Sequence, residues 1–178
     1  MKKRLLLQVI FLLYVFVLIF GVLHHEPWRD EAHVWNTAKE DSIYQIFQNA
    51  HYSPVPIAWT LIVKVLASLG FPYMSMNLVH AAIAIVSMGL LLFGSPLPLV
   101  LKVILLFSYY YVYEYAVVAR MYVLTILSLH VIAVFYKDRL KRPIIYALAL
   151  ALLFQTSFYS LTPAVILFIY FFIDIFKN

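Results

Sequence analysis

An all-α fold, a polytopic bundle of membrane helices, is what this sequence predicts, and three observations predict it. Hydrophobic residues make up 65% of the 178 positions and charged residues only 12%, where a soluble domain carries roughly 25% charged. The charges are gathered at the N-terminus, between Glu26 and Asp41, and between Lys137 and Arg142. Between these clusters run apolar stretches near the ~18 residues or more that read as a bilayer-crossing helix. The formal net charge of +5 therefore reads as a topology signal and a contact with lipid headgroups. It does not call for a nucleic-acid partner. Cysteine is absent, which excludes disulfides and thiolate metal sites.

Each helix has its own justification. Met1-Lys2-Lys3-Arg4 followed by Leu5–Leu23 has the charge pattern of a secretory signal. Its apolar run is too long for a usual signal core and lacks a small-x-small cleavage motif, so a retained signal anchor is expected. Tyr73–Phe93, Leu97–Tyr113 and Met121–Tyr136 are further uncharged or nearly uncharged stretches. Pro143–Ile173 is too long for one crossing of ~20 residues. Its centre, Gln155-Thr156-Ser157 with Ser160, Thr162 and Pro163, is polar and turn-prone, so it splits into two helices. A polar turn at membrane depth needs protein or a water-filled cavity around it, which places a candidate cavity near Gln155–Ser160. Pro54–Leu69 carries Thr60, Lys64 and Ser68 at i, i+4 and i+8, a single polar stripe suited to a helix lying in the interface.

Charge counting then sets sidedness. Lys2, Lys3 and Arg4 hold the N-terminus in the cytoplasm, and the positive-inside rule also prefers Lys137–Arg142 inside. An interfacial Pro54–Leu69 satisfies both, giving about six crossings. The loop His24–Pro72, with its juxtamembrane helices, the junction Glu114–Arg120 and the turn Gln155–Ser160 then face outside together. No repeat or linker divides the chain, so 1–178 reads as a single transmembrane domain.

The outer loop opens His24-His25-Glu26-Pro27-Trp28-Arg29-Asp30-Glu31-Ala32-His33-Val34-Trp35. Pro27 suits the first turn of a helix, with Asp30 and Glu31 early in it as the helix dipole favours. Asp30, His33 and Thr37 then share one face, and Glu31, Trp35 and Ala38 its neighbour. Asp30 with His33 permits a divalent-cation reading, although two donors do not make a site. His24, His25 and His51 add ligands without a recognised spacing. For His80 and His130, inside apolar helices, a hydrogen-bonded interior role is expected. Among the tyrosines of the Tyr109–Tyr122 run, Glu114 and Arg120 stand out. Ionisable groups amid such apolar sequence are costly and are paired or functional. A guanidinium suits bidentate recognition of phosphate. The plainer alternative is a structural ion pair of Arg120 with Glu114 or with Asp30.

Asp30-Glu31-Ala32 in a long first outer loop resembles the acidic motif of the GT-C superfamily of polytopic glycosyltransferases, which includes protein O-mannosyltransferases and aminoarabinose transferases of lipid A. His51-Tyr52-Ser53-Pro54 resembles their His-Pro-Pro stretch. Tyr113-Glu114-Tyr115-Ala116-Val117-Val118-Ala119-Arg120-Met121-Tyr122 resembles the junction at their second outer loop. Val118 stands where an acidic residue usually precedes Ala-Arg, with Glu114 one helical turn earlier. The resemblance covers the N-terminal part of such an enzyme. It implies transfer of a sugar from a polyprenyl-phosphate donor to a hydroxyl on a lipid, glycan or protein, at the outer face of a bacterial inner membrane. Asp30 would be the catalytic base and Glu31 its support. Arg120 would contact the phosphate, with His51, Glu114 and Tyr122 also binding substrate, and a divalent cation would be held, if at all, near Asp30 and His33. The competing class is a non-catalytic module: a lipid-linked-sugar transporter or flippase component, or a scaffold for envelope-glycan assembly.

Overall fold

The computed structural model describes residues 2–50 and 57–177. Among them the structure is entirely helical, with no strand. α1 is Lys2–His24, α2 Arg29–Glu40, α3 Ile43–Asn49, α4 Ile57–Ser68 and α5 Met74–Gly89. α6 is Leu99–Leu106, α7 Tyr122–Phe135, α8 Pro143–Phe154 and α9 Leu161–Lys177. Three helical stretches are long and apolar enough to cross a membrane: Arg4–His24, Met74–Gly94 and Phe158–Lys177, of 21, 21 and 20 residues.

The other predicted crossings are present as helices but are shorter than expected. α7 has 14 residues, about 21 Å at ~1.5 Å per residue. α8 has 12, or about 18 Å, against a hydrocarbon core of ~30 Å. Leu97–Tyr113 is broken. α6 ends at Leu106, the chain turns at Phe107 and Ser108, and a π-helical turn follows over Tyr110–Glu114. The predicted break in Pro143–Ile173 lies between α8 and α9, centred on Gln155–Ser160.

The main core is built where α1, α5 and α7 meet. Tyr14 and Leu18 of α1, Met76, Ala84 and Met88 of α5, and Val123 and Leu124 of α7 are all buried. Tyr14 Oη donates to the Tyr111 carbonyl at 3.0 Å, tying α1 to the π turn. Small residues permit the close approaches expected between membrane helices, where packing rather than water exclusion drives association. Gly21 is one of them: a Cβ there would lie 2.8 Å from Val117 Cγ2. A smaller core joins α7, α8 and α9 through Ile132, Tyr146, Leu150, Leu153 and Phe171. The turn between α4 and α5 uses Gly70 at φ +78°, a conformation glycine adopts without a Cβ penalty.

Thr60 is buried against a cavity, and Lys64 Nζ donates to the Asp41 carbonyl at 2.7 Å. Thr60 and Lys64 therefore face α2 and α3, and Ser68 is exposed. The basic cluster lies beyond the far end of α7 from Arg120. There Arg139 Nε donates to Asp174 Oδ2 at 2.7 Å, and its guanidinium sits 4.2 Å from the Tyr136 ring centre. This clamp fixes the α7–α8 loop to the C-terminal end of α9.

Candidate functional site

The site grows from the start of α2. The helix opens at Arg29, two residues later than Pro27 suggested, with Trp28 as its N-cap. Glu31, at N3, reaches back and accepts from the Trp28 backbone N–H at 2.8 Å, one half of a capping box. Period 3.6 then separates two faces. Asp30, His33 and Thr37 line a cavity of about 780 Å³. Glu31, Trp35 and Ala38 are buried against the bundle.

Arg120 meets Asp30 at the rim of that cavity. Its Nη2 lies 3.0 Å from Asp30 Oδ2, although the two residues are far apart in the sequence. Arg120 therefore pairs with Asp30 and not with Glu114. The Asp30 side chain is 57% exposed and that of Arg120 is 24%, so solvent screens the pair and ~0–1 kcal/mol is the stabilisation to expect from it. Tyr122 supports the guanidinium from 5.1 Å, within cation–π range. Arg29 and Met121 also line the cavity.

What holds Arg120 in place is the backbone before it. Ala116, Val117, Val118 and Ala119 are buried and not helical, so every polar backbone group there needs a partner. Val117 and Val118 donate to the Tyr113 carbonyl, and Arg120 donates to that of Val118. Side chains from three different helices supply further partners. Glu31 Oε1 of α2 accepts from the Ala119 N–H at 2.7 Å. Trp59 Nε1 of α4 donates to the Ala119 carbonyl at 3.2 Å. His80 of α5 sets its ring nitrogens 3.2 Å from the Ala116 carbonyl and 3.0 Å from that of Arg120.

Glu31 is the hub of this network. Its side chain is fully buried and takes four hydrogen bonds: from the backbone of Trp28 and Ala119, from His25 Nε2 at 2.7 Å and from Asn77 Nδ2 at 3.4 Å. A buried carboxylate is tolerable only with such compensation. Close by, the Tyr73 hydroxyl and Asn77 Oδ1 are buried without a hydrogen-bond partner. Burial, and then the Glu31 charge, push the Tyr73 hydroxyl up to about 12.

The remaining predicted residues fall differently. Glu114 sits on the π turn, accepts from Tyr109 Oη at 3.3 Å and lines neither this cavity nor its neighbour. His51 lies outside the described residues. His33 lines the cavity beside Asp30, but among the described residues no group of three or more His, Asp or Glu is arranged to hold a metal ion. His130 is an interior histidine paired with Ser87 Oγ at 2.8 Å. The turn Gln155–Ser160 lines neither of the two cavities at α2. Thr156, Ser157 and Ser160 are buried, and the Thr156 and Ser160 hydroxyls donate to the Leu153 carbonyl at 3.0 and 2.8 Å. The hydroxyls of Thr156, Ser157 and Ser160 are bonded within the turn, while Gln155 is exposed. Sequence reasoning missed Trp59 and Asn77, and named His25 only as a possible metal ligand. An indole, an amide or an imidazole in an apolar helix or loop signals a hydrogen bond without naming its partner.

Compared with protein-family models, with curated proteins and with solved structures, the chain matches none. What the described fold defines is a helical protein with three membrane-length helices and an acid–guanidinium pair at a cavity rim.

Proposed function

We propose that this protein is a membrane glycosyltransferase-like module. It would move a sugar from a polyprenyl-phosphate donor to a hydroxyl acceptor at the outer membrane face, in a topology of about six crossings. The observation that carries the reading is the meeting of Asp30 and Arg120 at the rim of the 780 Å³ cavity. The groups are complementary for this chemistry. A carboxylate can take the proton of an acceptor hydroxyl. A guanidinium can receive the charge that develops on a departing phosphate. The basic loop at the far end of α7 supports placing this cavity outside, and the short α7 and α8 cross only with local thinning of the bilayer, α7 helped by its 3-10 extension Tyr136–Asp138.

The second reading, a non-catalytic module that binds a lipid-linked sugar, draws support from the same pair: Asp30 already neutralises the guanidinium. The test is release of labelled sugar from a polyprenyl-phosphate donor by the purified protein in nanodiscs, with the wild type beside Arg120→Ala. Turnover in the wild type, reduced by about 10²-fold or more in Arg120→Ala, supports the transferase. Donor binding with no turnover in either supports the second reading. Neither binding nor turnover removes both.

A further inference from the structure

The two cavities at α2 differ in charge. The smaller, of about 550 Å³, lies beside Glu26, Trp28 and Tyr113 and has no lysine or arginine in its wall. The larger has Arg29 and Arg120, whose guanidiniums stay charged in any protein setting. The two arginines are placed differently. Arg120 has its Nη2 on Asp30 Oδ2 at 3.0 Å. Arg29 is exposed and, among the described residues, makes no ion pair or hydrogen bond. Glu40 and Asp41 line the same cavity, but Glu40 closes the other end of α2. It lies about 15 Å from Asp30 at ~1.5 Å per residue, beyond the ~8 Å over which exposed charges act at physiological salt. Lys64 Nζ, on the Asp41 carbonyl, adds a cation at that end. The end near Arg120 therefore holds two guanidiniums for one carboxylate.

The 100° step of α2 explains this gathering. Arg29 and His33 follow one line of the helix surface, Asp30 and Thr37 the next, and all four line the cavity. Lys39 turns away and lines neither cavity. Arg29 thus stands beside the carboxylate that touches Arg120. The same cavity wall includes the apolar side chains of Val34, Ile46, Ile57 and Met121, which suit a hydrocarbon chain. Charge matching then concerns the phosphate. A sugar phosphodiester carries one negative charge, and the monoester that departs from it carries about −1.5 to −2 at pH 7. One guanidinium shared with Asp30 does not match that charge, and two guanidiniums do.

We propose that Arg29 is a second phosphate-binding residue, and that a phosphate ester on an apolar chain seats between Arg29 and Arg120, taking Arg120 over from Asp30. The Asp30–Arg120 pair is exposed to solvent and weak, whereas guanidinium–phosphate contacts are charge-assisted and bidentate. The exchange releases the Asp30 carboxylate at the moment the phosphate is in place. In a transfer, the bond between the sugar carbon and the phosphate oxygen breaks with its electron pair on that oxygen. The acceptor oxygen bonds to the sugar carbon, and its proton passes to Asp30. The charge gained by the phosphate falls between two guanidiniums. That use of the phosphate rests on the transferase reading; the binding of a phosphate ester at Arg29 does not.

Isothermal titration of farnesyl phosphate into the full chain in phosphatidylcholine nanodiscs tests this, with empty nanodiscs subtracted. Inorganic phosphate and farnesol are the comparison probes. Farnesyl phosphate binds more tightly than either. Arg29→Ala weakens it about tenfold or more, the loss of a hydrogen bond to a charged group. Arg29→Lys, which keeps the charge and loses the fork, falls between. Lys39→Ala removes a cation of the same helix outside both cavities and leaves the affinity unchanged. Asp30→Asn tightens binding, because it removes the anion that competes for Arg120; a purely structural Arg29 predicts no such opposition between the two variants. An Arg29→Ala affinity within about twofold of the wild type overturns the proposal, as does weaker binding in Asp30→Asn. So does inorganic phosphate or farnesol binding as tightly as farnesyl phosphate, or a folded wild type that binds none of it. No sugar is transferred in this experiment. A protein that binds as described and releases no sugar from a labelled donor therefore fails the transferase reading alone.

Discussion

Asp30 and Glu31 are neighbours in sequence with the same functional group, yet the fold puts them in opposite situations. Asp30 is more than half exposed, makes one ion pair and faces an open cavity. Glu31 is fully buried and answers four donors from separate parts of the chain. A carboxylate with every lone pair occupied can hold a structure together but has nothing left for a substrate. One with a single screened partner can exchange it. The 100° step between consecutive residues on α2 sends the first to the cavity and the second to the core. The difference leaves Asp30 open to exchanging its partner and commits Glu31 to holding the backbone next to Arg120.

Substitution sharpens that contrast. Glu31→Ala has the largest expected effect. It strands the buried Ala119 N–H and releases the Arg120 loop, at a cost of about 3–5 kcal/mol, the range for breaking a buried charged network. Thermal unfolding in detergent reads it as a large fall in the midpoint. Trp59→Phe removes the bond to the Ala119 carbonyl and, because the indole is fully buried, leaves a cavity beside His80 as well. It costs about 2–3 kcal/mol and reduces the affinity for a phosphate-linked donor by displacing Arg120. Asp30→Ala costs less than about 1 kcal/mol. If Asp30→Ala proves as destabilising as Glu31→Ala, the division between the two carboxylates fails.

Much of this contrast was legible in the sequence, and its limits have physical causes. The 3.6-residue period separated the Asp30–His33–Thr37 face from the Glu31–Trp35–Ala38 face. The cost of an ionisable group in apolar sequence drew attention to Arg120, and the charge clusters marked the two ends of the bundle. The role of Glu31 was not legible, because it depends on which backbone groups the fold buries: its partner Ala119 carries no side-chain signal. The break in Leu97–Tyr113 was hidden for a related reason. A π turn in a tyrosine-rich run leaves the hydropathy unchanged. The Gln155–Ser160 turn was placed correctly and the internal bonding of Thr156 and Ser160 was not legible, because hydroxyls that bond back to their own helix look the same in sequence as hydroxyls that await a ligand. Sidedness has its own test, since the chain contains no cysteine. Glu40→Cys and Arg139→Cys are expected to react with a membrane-impermeant maleimide from opposite faces of oriented vesicles, and labelling of both from one face contradicts the topology.

The central claim is that Asp30 carries chemistry and Glu31 carries structure. The most direct measurement reads turnover and unfolding midpoint on the same preparation of Asp30→Asn, a substitution that keeps the side chain's shape and removes its basicity. The account predicts a loss of sugar transfer of about 10²–10⁴-fold, the usual contribution of a general base, with donor binding retained and the midpoint nearly that of the wild type. Unchanged turnover would remove Asp30 from the mechanism, and a midpoint that collapses together with turnover would make the Asp30–Arg120 pair a structural latch.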